Sequence, residues 1–197
     1  MARVAQTVRS TRTRSELQRA ALARFLAQGV EDTSVDEIAA DAGVTARTFY
    51  RHFASKHDVL FADYDAGLTW FRAALAARPP GEPVIASVQA AIFTFPYDVE
   101  AISQIASLRA AQVDHGRVAG HLRRVEADLA DAITDHLVRA SPPETPDEQL
   151  AVTVTARCIA AATFGAMDAW MLHTDRSLPE LARLCHRALD QLAHGLA

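Results

Sequence analysis

Residues 34–53 read SVDEIAADAGVTARTFYRHF, and the fold follows from how that stretch is punctuated. Ser34 followed three residues later by Glu37 is a capping box, in which each side chain satisfies an orphan amide near a helix start. The spacing predicts a helix from about Val35 to Ala42, with Val35, Ile38 and Ala39 on its inner face. Gly43 breaks it, because glycine enters the left-handed conformation that other residues resist. Val44 supplies a small apolar plug. Thr45 can cap a third, short helix ending near Phe53, with Phe49 turned inward and the polar set around Arg47 turned outward. Helix, glycine turn and second helix in this order are the parts of a helix-turn-helix.

The chemistry of that motif assigns roles. Its second helix enters the DNA major groove with its N-terminal residues nearest the base edges. Ala46, Arg47 and Thr48 occupy those positions. Arg47 can pair bidentately with a guanine edge, which is worth about 1–3 kcal/mol of discrimination. Thr45, Tyr50, His52 and Lys56 can position phosphates, and Lys56 stands at the start of a further helix whose amides can support such a contact. The competing reading of the same residues is a helix–glycine–helix turn that serves only packing.

Charge favours the first reading for one end of the chain. Of the 197 residues, 20 are basic and 24 acidic, for a net charge of −4. Residues 1–56 hold nine basic and six acidic side chains; residues 57–197 hold eleven and eighteen. A head of +3 therefore sits on a body of −7. Arg3, Arg9, Arg12, Arg14, Arg19 and Arg24 meet a single Glu16, which suggests a polyanion partner for the head alone.

Working outward, every segment reads as helix. Alanine occurs 40 times and glycine and proline 8 times each, and no segment alternates with the period of a strand. Lysine occurs once against 19 arginines, the codon bias of a GC-rich genome. Leu17, Ala21 and Phe25 stripe a first helix from about Thr11 to Gln28, closed by Gly29. Ser55 and Asp58 open a long fourth helix from Lys56 to about Arg78, striped by Leu60, Tyr64, Leu68, Phe71 and Leu75. Pro79, Pro80, Gly81 and Pro83 end it. Further helices are expected from about Val84 to Phe95, Val99 to Val113 and Arg117 to Ala140. An eighth runs from a Thr145–Glu148 capping box to about His173, and a ninth follows Ser177 and Glu180. The expected fold class is all-α with about nine helices, divided into 1–56 and 57–197.

Residues 12–61 resemble the DNA-binding domain of TetR-family bacterial transcription regulators. The matching residues are Phe25, Gly29, Val35, Ile38, Ala39, Ala42-Gly43-Val44-Thr45, Thr48-Phe49-Tyr50, His52-Phe53, Ser55-Lys56 and Leu60. Arg47 departs from the pattern, standing where the family often has glycine, which implies a distinct operator preference. The resemblance implies that 1–56 is a DNA-binding domain and 57–197 a helical ligand-binding and dimerisation domain. It further implies a homodimer that binds a palindromic double-stranded operator, usually as a repressor, and releases it on binding a small molecule.

The second part of the chain adds its own reading. From Ala151 to Leu172 the eighth helix is apolar nearly all round, with Ile159, Thr163, Ala166 and Trp170 on one face and Ala161, Phe164, Gly165, Met171 and Leu172 on the other. Two apolar faces need two covers, the chain's own core and a second subunit. The expected dimer interface is Ile159, Thr163, Ala166 and Trp170 with the stripe Leu181, Leu184, Ala188 and Leu192 of the ninth helix. Which face of the eighth helix meets the partner and which lines a pocket stays open. Aromatic residues crowd this part, so an apolar effector is expected, held by Trp70, Phe93, Arg109, Phe164, Asp168 and Met171, with Gln112 as a further polar anchor.

Other chemistries find little footing. The chain has no phosphate-binding glycine loop and no nucleophile elbow. His115 and His121 are not at metal-ligand spacing, and His136 follows Asp135 with no evident nucleophile. Cys158 and Cys185 sit in apolar helices, where thiols are usually inert. No catalytic residue, metal or cofactor is expected. Arg157 and Asp168 interrupt the longest weakly charged stretch, so no membrane partner is expected, and Met1 to Val8 is too short and polar for a secretory leader. The expected compartment is the cytoplasm. A small helical enzyme and a helical interaction protein are the alternatives from other classes.

Overall fold

The computed structural model describes residues 2–79, 81–94, 99–172 and 177–194. Among the described residues the chain forms nine α-helices and one 3-10 helix, without strands. The helices are α1 Ala2–Gln28, α2 Val35–Asp41, α3 Ala46–His52, the 3-10 helix Lys56–Phe61, α4 Ala62–Ala76, α5 Val84–Phe93, α6 Val99–Gln112, α7 His115–Ala140, α8 Pro146–Leu172 and α9 Leu178–His194.

The caps sit where the residue types place them. Ser34 and Glu37 form the reciprocal capping box of α2. Thr145 Oγ1 accepts the Glu148 amide at 3.2 Å while Glu148 accepts the Thr145 amide at 3.1 Å. Ser177 Oγ accepts the Glu180 amide at 3.4 Å. Gly29 takes φ +87° at the end of α1.

Two expectations change. Helix α1 begins at Ala2, upstream of Thr11; residues 2–10 contain no proline or glycine to stop it. The long fourth helix is broken in two. Ser55 makes no side-chain cap, and the Asp58 amide instead bonds the Ser55 carbonyl at 3.1 Å. Orphan groups left by a missing cap are satisfied by such i to i+3 bonds, which tighten the turn into a 3-10 helix. Regular α-helix resumes only at Ala62.

Packing divides the chain into two compact units. The first contains Met1–Asp63 and Glu100–Val118, and the second contains Tyr64–Val99 and Ala119–Ala197. In the first unit Leu17, Ala21, Phe25, Ile38, Phe49 and Leu60 are fully or almost fully buried, each large side chain contributing about 1.5–3 kcal/mol. Helix α6 belongs to this unit. Its Gln112 Oε1 accepts the Val30 amide at 2.6 Å. In the second unit Phe71 and Leu75 of α4, Val88 of α5, Ile133 of α7, Ile159 and Phe164 of α8 and Leu189 of α9 share one core. Glu82 is held by Arg78 and accepts the buried Ser87 hydroxyl, and these bonds, Arg78 foremost, bring its pKa down to about 2.

The two faces of α8 differ in burial within this chain. Ile159, Thr163, Ala166 and Trp170, expected at a subunit interface, are buried within this chain. The Trp170 indole donates to the Ser177 carbonyl at 3.0 Å. Burying the bulkier face removes more apolar area from water. On the other side Leu150 is 61% and Val154 50% exposed, and Cys158, Ala161 and Gly165 continue the exposed stripe. On α9, Cys185 and Leu189 are buried while Leu181, Leu184, Ala188 and Leu192 are half-buried. By length and composition alone α8 is apolar enough to cross a membrane; it packs along α9.

Candidate nucleic-acid interface

The turn between α2 and α3 is closed by two backbone bonds. The Val44 amide donates to the Ala39 carbonyl at 2.9 Å and the Gly43 amide to the Ala40 carbonyl at 3.0 Å, the paired pattern of a Schellman turn. Gly43 holds φ +66° to allow it. Thr45 then starts α3 in extended backbone, its hydroxyl accepting the Thr48 amide at 3.3 Å. Helix α3 is thus launched at an angle set by the turn and pinned beneath by buried Phe49, whose ring lies 5.5 Å from that of Phe53.

What remains outside is a polar face. Arg47, Tyr50 and Arg51 are exposed, Tyr50 at 58%. Ala46 and Thr48 are half-buried beside them, and Thr45 is exposed at the cap. Arg51 is one turn after Arg47 on the same face, a residue that only the i, i+4 spacing from Arg47 signals in the sequence. His52 is half-buried. Its Nε2 is buried without a hydrogen-bond partner, and burial, then the nearby Arg51 and Arg14 charges, lower its pKa.

Lys56 is engaged by the protein itself. Its Nζ donates to the carbonyls of Glu31 at 2.8 Å and Thr33 at 3.2 Å and lies 3.7 Å from the Glu31 carboxylate. His57 bonds the same carboxylate at 3.0 Å; this bond, then the Lys56 charge, lower the Glu31 pKa. Two head arginines are likewise turned to internal work. Arg24 grips Asp41 at 2.6 Å and Glu37 at 2.8 Å, tying α1 to α2. Arg14 reaches the end of α3, donating to the His52 carbonyl at 2.8 Å.

A family model described as "Bacterial regulatory proteins, tetR family" matches residues 17–62, from within α1 to the first residue of α4. The HTH-type transcriptional regulator TcmR of Streptomyces glaucescens is 31% identical over 189 residues, covering 92% of this chain and 83% of TcmR. The chain belongs to the TetR family of bacterial regulatory proteins. It is accordingly a DNA-binding transcriptional regulator of the helix-turn-helix type. Solved structures of transcriptional repressors share the fold along almost its full length. SmeT, the repressor of the Stenotrophomonas maltophilia multidrug efflux pump SmeDEF, aligns with TM-score 0.58 at 22% identity, covering 92% of this chain and 89% of SmeT. Thermus thermophilus FadR, a transcriptional repressor solved with lauroyl-CoA, aligns with TM-score 0.57 at 20% identity, covering 93% of this chain and 95% of FadR.

The residues expected around an effector are spread within this TetR-family chain. Arg109 belongs to the first unit, where it is buried and binds the Asp63 carboxylate at 3.2 Å and the Leu60 carbonyl at 3.1 Å, joining α6 to the 3-10 helix and the first turn of α4. In the second unit Phe164 is part of the core, Phe93 stacks on His186 at 4.7 Å, Trp70 is 40% exposed and Asp168 is exposed. The side chain of Met171 lies outside the described residues. Burial pushes the Cys185 thiol up to about 11, which keeps it protonated and unreactive. Among the described residues no group of three His, Cys, Asp or Glu side chains is placed to hold a metal ion.

Proposed function

We propose that this regulator is a repressor that binds a palindromic operator as a homodimer and is released by an apolar small molecule. The observation that carries the proposal is the outward face of α3, where Arg47, Tyr50 and Arg51 stand free of the core beside a capped N-terminal end. In the groove Arg47 reads a guanine edge, while Thr45, Tyr50 and Arg51 set the register on phosphates. Of the other two expected phosphate contacts, Lys56 binds the Glu31 and Thr33 carbonyls and His52 is half-buried, so both are given a lesser part in this reading. The dimer uses the exposed stripe of α8, Leu150, Val154, Cys158, Ala161 and Gly165, with the half-buried leucines of α9. Small residues there allow close approach of two helices. The apolar, aromatic second unit supports an apolar effector, and the same fold accommodates lauroyl-CoA in the Thermus protein. Release is a population shift: effector binds better to the arrangement whose recognition helices miss the half-sites.

The test is selection from a random duplex pool by the purified protein. The proposal expects an enriched site with twofold symmetry and half-sites about 34–36 Å apart or a multiple of that. Enrichment of an asymmetric site, or of none, would overturn it.

A further inference from the structure

Helix α3 has only seven residues, Ala46–His52. A helix this short is not stable alone and holds its direction only through what fastens its ends. The N-terminal end is fastened twice, by the Thr45 cap and the Schellman turn. At the C-terminal end the Phe53 amide closes onto the Phe49 carbonyl at 3.0 Å, and the last carbonyls need partners from elsewhere.

Arg14 supplies one. Its Nη1 donates to the His52 carbonyl at 2.8 Å across 38 residues of sequence. Its guanidinium carbon stands 4.4 Å from the centroid of the Phe53 ring. That ring is itself buried and packed on Phe49. A cation here also opposes the partial negative charge of the helix C-terminus. The bond is charge-assisted, and the planar fork that donates it is stacked on an aromatic face, so direction and position are both fixed.

We infer that Arg14 is a positioning residue for operator recognition, clamping the C-terminal end of the recognition helix from α1 without serving as a phosphate contact. The inference rests on the proposed DNA-binding face. Its leverage is geometric. Seven residues of helix are about 10 Å long, so a tilt of about 10° about the fastened N-terminal end displaces the C-terminal end by about 2 Å and turns the long Arg47 side chain through the same angle. That rotation takes the Arg47 guanidinium out of the plane of a guanine edge and weakens a bidentate pair. Losing the clamp therefore costs sequence discrimination, whereas losing a phosphate contact weakens binding to every duplex alike and reduces the salt slope by about one.

The experiment compares wild type, Arg14→Gln and Arg14→Lys on the duplex enriched by wild type and on a scrambled duplex of equal length, across a salt series. Arg14→Gln is expected to bind the enriched duplex about ten-fold or more weakly. Its affinity for the scrambled duplex and its salt slope are expected to match wild type. Arg14→Lys keeps the charge and loses the fork, so it recovers part of the preference. Unchanged preference in Arg14→Gln overturns the inference, as does a parallel loss on both duplexes with a shallower slope. If Arg14→Gln does not fold, Arg14→Lys decides: a reduced preference supports the clamp and a wild-type preference overturns it. If wild type enriches no duplex, both this inference and the proposed function fall, whereas a wild-type preference that Arg14→Gln retains sinks the inference alone.

Discussion

Replacing Gly43 by alanine isolates the backbone term of the recognition turn. Gly43 has φ +66°, and a Cβ built there meets nothing within 4 Å. No crowding adds to the cost, so the penalty is that of the left-handed conformation itself, about 1–2 kcal/mol for a residue with a Cβ. Alanine also restricts the unfolded chain, which returns about 0.4–1 kcal/mol. The net expectation is a loss near 1 kcal/mol, or about 2–4 °C in Tm for a chain of this size. Gly43→Asn is expected to recover much of that, because asparagine tolerates this region. Gly120 lies inside α7, also with nothing within 4 Å of an added Cβ, and Gly120→Ala is expected to stabilise by about 0.5–1 kcal/mol. Urea unfolding read as a midpoint shift at constant slope measures all three. Gly43→Ala as stable as wild type, or Gly43→Asn as damaged as Gly43→Ala, would show that left-handed strain does not govern this turn.

Further outcomes follow from other parts of the molecule. Val154→Asp on the exposed stripe of α8 is expected to give a folded monomer by sedimentation with unchanged helix content; a dimer of wild-type strength would remove α8 from the interface. Thiol labelling of a monomeric variant is expected to reach exposed Cys158 quickly and Cys185, buried and pushed up to about 11, only on unfolding; equal rates would contradict the buried position. His136 is buried, and desolvation, then the Arg139 charge, lower its pKa. The unfolded chain then binds more protons, so stability falls as pH drops below the ordinary histidine value of about 6.5. His136→Gln is expected to flatten that part of the pH–stability curve, and an unchanged curve would rule His136 out as its source. The Glu82 contribution, present above an ordinary carboxylate value near 4.5, is lost only as pH falls toward about 2, so the two are separable by pH.

Local signals in this chain were legible because their physics is local. The Ser34–Glu37 box, the Thr45 and Thr145 caps and the glycine turn each depend on residues within a few positions, and each forms as its residue types dictate. Long-range choices were not legible. Nothing near Ser55 announces that its hydroxyl would go unused and the following turn tighten. Helix α8 has apolar residues on both faces, and periodicity alone does not say which face the chain buries. Charge counting takes no account of internal pairing. Arg14, Arg24 and Lys56 are bound to partners 13 to 38 residues away, so the cationic surface open to a polyanion is smaller than the sequence balance suggests. Arg109, expected as an effector anchor, meets Asp63 across 46 residues, a pairing that no helical spacing encodes.

The central claim is that sequence is read by the exposed face of α3. Salt-titrated binding of wild type and Arg47→Ala to the enriched duplex and to random duplex tests it most directly. The expected result is a marked wild-type preference for the enriched duplex, from which Arg47→Ala loses about 1–3 kcal/mol while keeping nearly the same affinity for random DNA. An Arg47→Ala protein that keeps the full preference, or a wild type that binds all duplexes alike at every salt concentration, would contradict the claim.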